Sequence, residues 1–305
     1  MKACLIVAAF GAALAGVLPA DGHGFSGDRF FPATLTIDDP FVADELSLPT
    51  FTGIRQPGSP PVKTYDFSTD ISLVLLPHLG ISIGSGYQIQ KISGQKGETG
   101  FDNADYTIQY ELGKIPDHEF VASVGLVGEI GGTGSRAISV DRFNTFTPTF
   151  YFGKGFGDLP NTLSLIRPVA VTGTVGLKFP STAYAITPDG KDCHQSSVSW
   201  GLAVEYSLIY LQSHVKDIGL HAPFDRLIPL VEFAFDSPYN RRHGGPTTGT
   251  INPGVIWSGQ YFQVGIEAIV PVNQHTGNNL GVLAQLHFYL DDVLPAVFSR
   301  PLINP

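Results

Sequence analysis

The chain has 305 residues, a formal net charge of −9 and only 15% charged side chains, with 35 Gly and 23 Pro. An ordinary soluble domain carries roughly 25% charged residues, so the composition argues against a typical soluble surface, and the acidic balance argues against nucleic-acid binding. Length alone allows one large β domain or two smaller ones.

Residues 1–22 read as a secretory signal: Lys2, an apolar run from Cys4 to Leu18, then Pro19, Ala20 and Gly22 as small or turn-forming residues around a cleavage site. The run is too short to cross a bilayer, and no stop-transfer pattern follows it. Cleavage fits after Gly22 or after Ala20. Cys4 then leaves with the signal, so Cys193 has no intramolecular partner and no disulfide framework forms. Later apolar stretches are interrupted by Arg167, Glu205, Glu232 and Glu267, which argues against transmembrane helices. Residues 23–43, HGFSGDRFFPATLTIDDPFVA, carry turn residues and little alternation. They are expected to be a plug, a lumen segment or a lead-in.

Alternation is weak from Asp44 to Ile54 and strengthens from Thr64, where Tyr65, Phe67, Ile71, Leu73 and Leu75 alternate with Thr64, Asp66, Ser68, Asp70 and Ser72. Further strands are predicted at Ile81 to Gln90, Asn103 to Leu112, Phe120 to Ile130, Thr145 to Lys154, Leu163 to Leu177, Ser197 to Leu211, Leu227 to Asp236 and Thr250 to Trp257. The final pair is the clearest. Phe262, Val264, Ile266, Ala268, Val270 and Val272 face one way; after a polar turn at Asn273 to Asn278, Leu280, Val282, Ala284, Leu286, Phe288 and Leu290 repeat the pattern. A period of two over ten or more residues is a strand with one apolar and one polar face. Connections near 76–80, 113–118, 155–160 and 258–260 are short, while those near 92–102, 131–143, 179–195 and 237–249 are long. Short inner turns, long outer loops and an even strand count predict a closed antiparallel transmembrane β-barrel of about twelve strands over 44–290, all-β, with both termini inside and a tail at 291–305. The long stretch 212–225 disobeys, because it should be a short inner turn. A β-sandwich would alternate in the same way, but several strands are long for one. Aromatics near strand ends (Tyr65, Trp200, Tyr210, Trp257, Phe262, Phe288) also suit membrane interfaces.

The segments DRFFPATLTIDDPFVADELSLPT, TINPGVIW, VGIEAIVPVN and AQLHFYLDDVLP resemble a family of uncharacterised bacterial outer-membrane proteins related to the transporters of the MetA phenol-degradation pathway group. The resemblance covers both ends of the mature chain; the middle matches only in pattern. It implies a barrel in the outer membrane of a Gram-negative bacterium that takes up small, often hydrophobic molecules passively, and it brings no catalytic residues. Outer-membrane barrels commonly end on an aromatic residue of the last strand, as His287-Phe288-Tyr289-Leu290 would, but here DDVLPAVFSRPLINP follows. Either the tail folds back or the last strand is misplaced.

Glu111, Glu129, Glu205, Glu232 and Glu267 each fall on the polar parity of a separate strand. With Gln109, Gln263, Gln285 and His287 they would line an acidic lumen, and a bulge at Pro168 would turn Arg167 inward as a partner. This arrangement suits a cation-selective pore or an ion-pair network that fills and rigidifies a closed barrel. Cleavage after Ala20 would expose Asp21-Gly22-His23, and cleavage after Gly22 an N-terminal His23. Either end could chelate copper(II), and Cys193-His194 could add a ligand. A lipid-modifying enzyme would need a Ser near His287, His243 or His194, such as Ser196 or Ser197 for His194. Arg241-Arg242-His243 could touch lipopolysaccharide phosphates. The expected function is a passive channel for small molecules or ions in contact with outer-membrane lipid, without a cofactor. A closed barrel with a structural or binding role is second and an enzyme third.

Overall fold

The computed structural model describes residues 24–57, 60–92, 94–187, 190–239, 245–298 and 300–303. Residues 1–22, expected to be a signal, His23 and Arg241-Arg242-His243 lie outside the described residues.

Twelve strands close the barrel: β1 (Glu45–Gln56), β2 (Val62–Leu76), β3 (Leu79–Ile92), β4 (Ala104–Ile115), β5 (Phe120–Ile130) and β6 (Thr145–Gly155), then β7 (Val169–Pro180), β8 (Ser197–Tyr206), β9 (Leu227–Pro238), β10 (Thr248–Ser258), β11 (Phe262–Pro271) and β12 (Gly281–Tyr289); a short extra strand, Glu98–Phe101, joins the sheet through β3 alone. Each pairs antiparallel with the next, and β12 returns to β1 with Leu283 opposite Thr52 and Phe288 opposite Leu46. The sheet is therefore a closed barrel. Closure follows from the alternation, because each strand can bury one face only if the sheet curls until the polar faces meet inside. At Leu48-Pro49 the β1–β2 register shifts, since Pro49 has no N–H to give to the ladder.

The two faces separate as the period of two requires. On β11, Val264 and Ile266 point outward and Ile266 is 51% exposed, while the neighbouring Glu267 is 1% exposed. Ile83, Phe150, Val175 and Val282 are likewise exposed on the outside, with no second sheet over them. Such a belt is stable only against acyl chains. Aromatics gather at its two edges: Trp200 stacks on Phe235 toward the outer end, and Trp257, Phe262 and Phe288 cluster near the inner end. Among the described residues no helix is long and apolar enough to cross a membrane.

Several predicted boundaries change. The strand expected at Leu163 to Leu177 begins only at Val169, because Pro160 leads into a helical turn over Asn161–Ile166 and Pro168 cannot donate to the ladder. The strand expected to reach Leu211 stops at Tyr206. There Ser207 Oγ accepts from Tyr210 N (3.2 Å) and starts a helical segment over Leu208–Val215. Tyr210 is consequently buried, not at a membrane interface. Two inner connections, 156–168 and 207–226, are thus long, whereas only the second was expected to be. The last strand is correctly placed, and the tail folds back through short helices at Leu290–Val293 and Pro295–Phe298. Leu302 N and Ile303 N then donate to the carbonyls of Val74 and Leu75 (2.9 Å each). Leu290, expected on the lipid face, leaves the strand and is buried.

Candidate functional site: a plugged lumen with an acidic cavity

Residues 24–43 lie inside the barrel and fill one half of it. Leu35 packs among Ile228, Leu230, Ile256, Ile269 and Leu283, which face inward from β9 to β12, and Phe31 and Phe41 pack with Val121 and Ala170. Polar anchors fix this segment. The carboxylate of Glu232 accepts three consecutive backbone N–H groups, from Leu35 (2.7 Å), Thr36 (2.9 Å) and Ile37 (2.9 Å). Successive amides converging on one anion form a nest, and here the anion belongs to the barrel wall. Thr36 Oγ1 donates to Glu267 Oε2 (2.9 Å) and accepts from Asn252 Nδ2 (2.7 Å). Gln263 Nε2 donates to the carbonyl of Ala33, and Gln109 Nε2 to those of Asp39 and Phe41 (3.2 Å each).

The inner mouth is tied by Arg29, which follows a tight turn in a two-stranded ribbon (Phe25–Ser26 with Arg29–Phe30) and is fully buried. Its Nε donates to Glu119 Oε2 (3.1 Å), its Nη groups to the carbonyls of Pro168 and Arg167, and its guanidinium lies 3.7 Å over the Tyr210 ring. One side chain so joins three inner connections.

The other half of the lumen holds a cavity of about 560 Å³ between the plug and β1 to β5. Its carboxylates form rows. Asp70 on β2 lies opposite Gly84 on β3, and Gly84 lies opposite Asp105 on β4, so the two carboxylates flank a glycine. A Cβ at Gly84 would sit 2.6 Å from Asp105 Oδ1, and one at Gly86 2.8 Å from Asp66 Oδ2. The missing side chains leave these acids room to lie against the wall. Nearer the outer end, Asp66 is joined by Asp102, whose Oδ2 accepts from Gln88 Nε2 (2.9 Å), and by Glu129, whose Oε1 accepts from Asn103 Nδ2 (2.6 Å). The plug adds Asp38 and Asp39 and the inner end Glu45. Against these eight carboxylates the described lining offers one imidazole, His287, and no Lys or Arg. Burial holds the carboxyl groups of Asp38 and Asp39 above the usual carboxylate range; for Asp39, the charges of Glu45, Asp38 and Glu205 add to burial, and the Phe41 N–H opposes both. At the inner rim a second cavity of about 190 Å³ lies against Lys114, Asp291, Phe298 and Arg300, and Phe41, Val42 and Ala43 line both cavities.

All five predicted glutamates face the interior, but they do not form one acidic channel. Glu129 lines the cavity, whereas Glu232 and Glu267 hold the plug. Glu111, near the inner rim, pairs with His78 (3.4 Å) and Lys114 (3.6 Å). Glu205 is buried in the field of Arg29 with neither carboxylate oxygen hydrogen-bonded among the described residues. The expected network of Arg and Lys partners is replaced at Glu232 by backbone amides. Gln263 serves the plug, while Gln285 and His287 line the cavity. Arg167 is not on a strand: it caps the helical turn at the inner end, and its Nε donates to the Gly157 carbonyl (2.8 Å). Among the described residues no group of three or more His, Cys, Asp or Glu could hold a metal ion; His194 instead stacks on Phe143, at 3.6 Å between ring centres. Sequence reasoning missed Arg29, Glu119 and the aspartate rows, although Asp66 and Asp70 stood on the polar parity of the strongest early strand.

One arrangement bears on catalysis. Ser47 Oγ lies 2.9 Å from His287 Nδ1, and His287 Nε2 lies 3.5 Å from Glu45 Oε2. Ser47 and His287 are cross-strand partners and Glu45 is two residues along the same face, so strand register alone brings the three together. Acyl transfer would also build an oxyanion among carboxylates, where it is least stabilised.

No family model matches the sequence, and no curated protein does. Among solved structures the chain is similar to the NanC porin (TM-score 0.48, 10% identity, covering 79% of this chain and 98% of that one) and to the KdgM porin (0.45, 10%, 80% and 98%). It is also similar to the translocator domain of the autotransporter NalP from Neisseria meningitidis (0.41, 8%, 80% and 87%).

Proposed function

We propose that the chain is a passive outer-membrane channel for small polar solutes, which move between the plug and β1 to β5. The observation that carries this reading is the polar cavity itself. It lies within a lipid-facing barrel, reaches from Glu129 near the outer rim to Ala43 near the inner one, and meets a second cavity across Phe41, Val42 and Ala43. A solute would exchange bulk water for a polar wall, which keeps the barrier to passage low. Lumen and belt together support a location in the outer membrane of a Gram-negative bacterium, where lipid and lipopolysaccharide would surround the barrel. Kinship with the phenol-pathway transporters would suggest a hydrophobic cargo, but Leu35 and Ile37 turn their side chains to the packed wall at Gly265 and Gly201. The facing wall is carboxylate and favours polar, positively charged solutes.

A closed scaffold is the second reading, favoured by the three amides that fix the plug on Glu232. Single-channel recording of the full mature chain in planar bilayers separates the two. Steady current with a reversal potential shifted toward the cation equilibrium is expected of the channel; silence at all voltages belongs to the scaffold.

A further inference from the structure

We propose that the acidic cavity is a binding site for aliphatic amines carrying two or more ammonium groups, held in extended form along β2. This deepens the channel reading and rests on it only for the route by which the ligand arrives. Asp70 and Asp105 form one row across the sheet, while Asp66 and Asp102 form another nearer the outer end. Asp66 and Asp70 are four residues apart on one strand, or about 13 Å at the usual rise. Acids so spread do not converge on a single ion, and no described cluster has the spacing of a metal site. A ligand whose own positive charges are spaced along a chain matches them; a point charge meets one row at a time.

A separate observation points to a donor-bearing ligand. Gln285, only 9% exposed, lines the same cavity, and its Oε1 has no hydrogen-bond partner among the described residues, whereas its Nε2 is used by Thr50. Asp66 Oδ2 likewise has no hydrogen-bond partner among the described residues. Oxygens withdrawn from water without donors are costly, and an ammonium group supplies three N–H donors. Both oxygens accept, as the carboxylate rows do, so the wall presents acceptors at several levels without a cation to satisfy them. The volume lies within the range of small-ligand pockets, ~300–1,000 Å³.

The test is calorimetric titration of the full mature chain in detergent with spermidine, propylamine, 1,8-octanediol and magnesium chloride. Spermidine should bind more tightly than propylamine and magnesium, and the diol should not bind. Asp66→Asn with Asp70→Asn should weaken spermidine by roughly tenfold or more, since hydrogen bonds to charged groups are stronger than neutral ones. Equal binding to that variant, or magnesium binding more tightly than spermidine, overturns the proposal. Should the double variant fail to fold, the wild-type chain still decides. Raising NaCl from ~0.05 to ~0.5 M must weaken spermidine binding, and an unchanged affinity, or a diol that binds as well as spermidine, sinks the idea. Current without spermidine binding would remove this site and leave the channel. Binding without current would remove the channel and leave the site.

Discussion

At Glu232 one carboxylate does the work of a small turn: it gathers three amides that would otherwise enter the barrel without acceptors. Substituting Glu232→Ala orphans all three, and at ~1–3 kcal/mol for each buried unsatisfied group, with some relief from entering water, a loss of roughly 3 kcal/mol is expected. Glu232→Gln keeps one acceptor oxygen and should cost less. Urea unfolding from lipid vesicles measures both, and an Ala variant as stable as the parent would show that the nest holds nothing. Asp39 adds a pH dependence to the same plug. Its carboxyl is held above the usual range by burial first and by neighbouring acids second, so the folded state binds the proton more tightly than the unfolded one. Its contribution is therefore fully present below the ordinary carboxylate range and declines as pH rises through the raised folded-state value. Protection of residues 24–43 from amide exchange should weaken from acidic to neutral pH, and Asp39→Asn should flatten that slope; an identical slope in the variant would assign it to other acids. None of this was legible in the sequence. That Glu232 faces inward follows from parity, but that its partner is a stretch of backbone about 200 residues earlier has no local signature.

The strands were legible because lipid and lumen impose opposite demands on alternate residues, and twelve segments satisfy both. The pair β11 and β12 shows it most plainly, with Ile266 outside and Glu267 within 1% of complete burial. Ile266→Arg should accordingly destabilise the barrel by ~2–4 kcal/mol if the residue sits near the bilayer midplane, and less if nearer an interface. The measurement is vesicle refolding against urea, and a cost near zero would mean that the outer face of β11 is not in lipid. Element ends were less legible than element centres. Leu163, Leu165 and Leu211 continue the apolar pattern past the true boundaries at Val169 and Tyr206, because an apolar residue reads alike on a strand and on a helical turn at its end. Pro160, Pro168 and the cap at Ser207 carried the correction. The tail beyond Tyr289 could not be placed from sequence, since its contacts are with the carbonyls of Val74 and Leu75 more than 200 residues away.

At the scale of the whole molecule, the interior is divided lengthwise: one half is packed by the plug and an apolar cluster, the other left as an acid-walled cavity. The division leaves a solute two routes. If passage runs beside the plug, the plug need not move, and its anchors on β9 to β11 are structural. If passage runs through the plug's half, those anchors must break in every transport event. Thr36 and Asn252 touch across the packed half (2.7 Å), so cysteines at both positions, in a Cys193→Ser background and joined by a short bifunctional thiol reagent, would lock the plug to β10. The cavity faces the opposite wall, so single-channel current should be the same before and after cross-linking, and cation selectivity with it. A current that vanishes on cross-linking and returns on cleavage of the linker would instead make the plug a gate, with the Glu232 nest as its catch. Parity decides which residues enter the barrel; only the fold of residues 24–43 decides which of them a passing solute would meet.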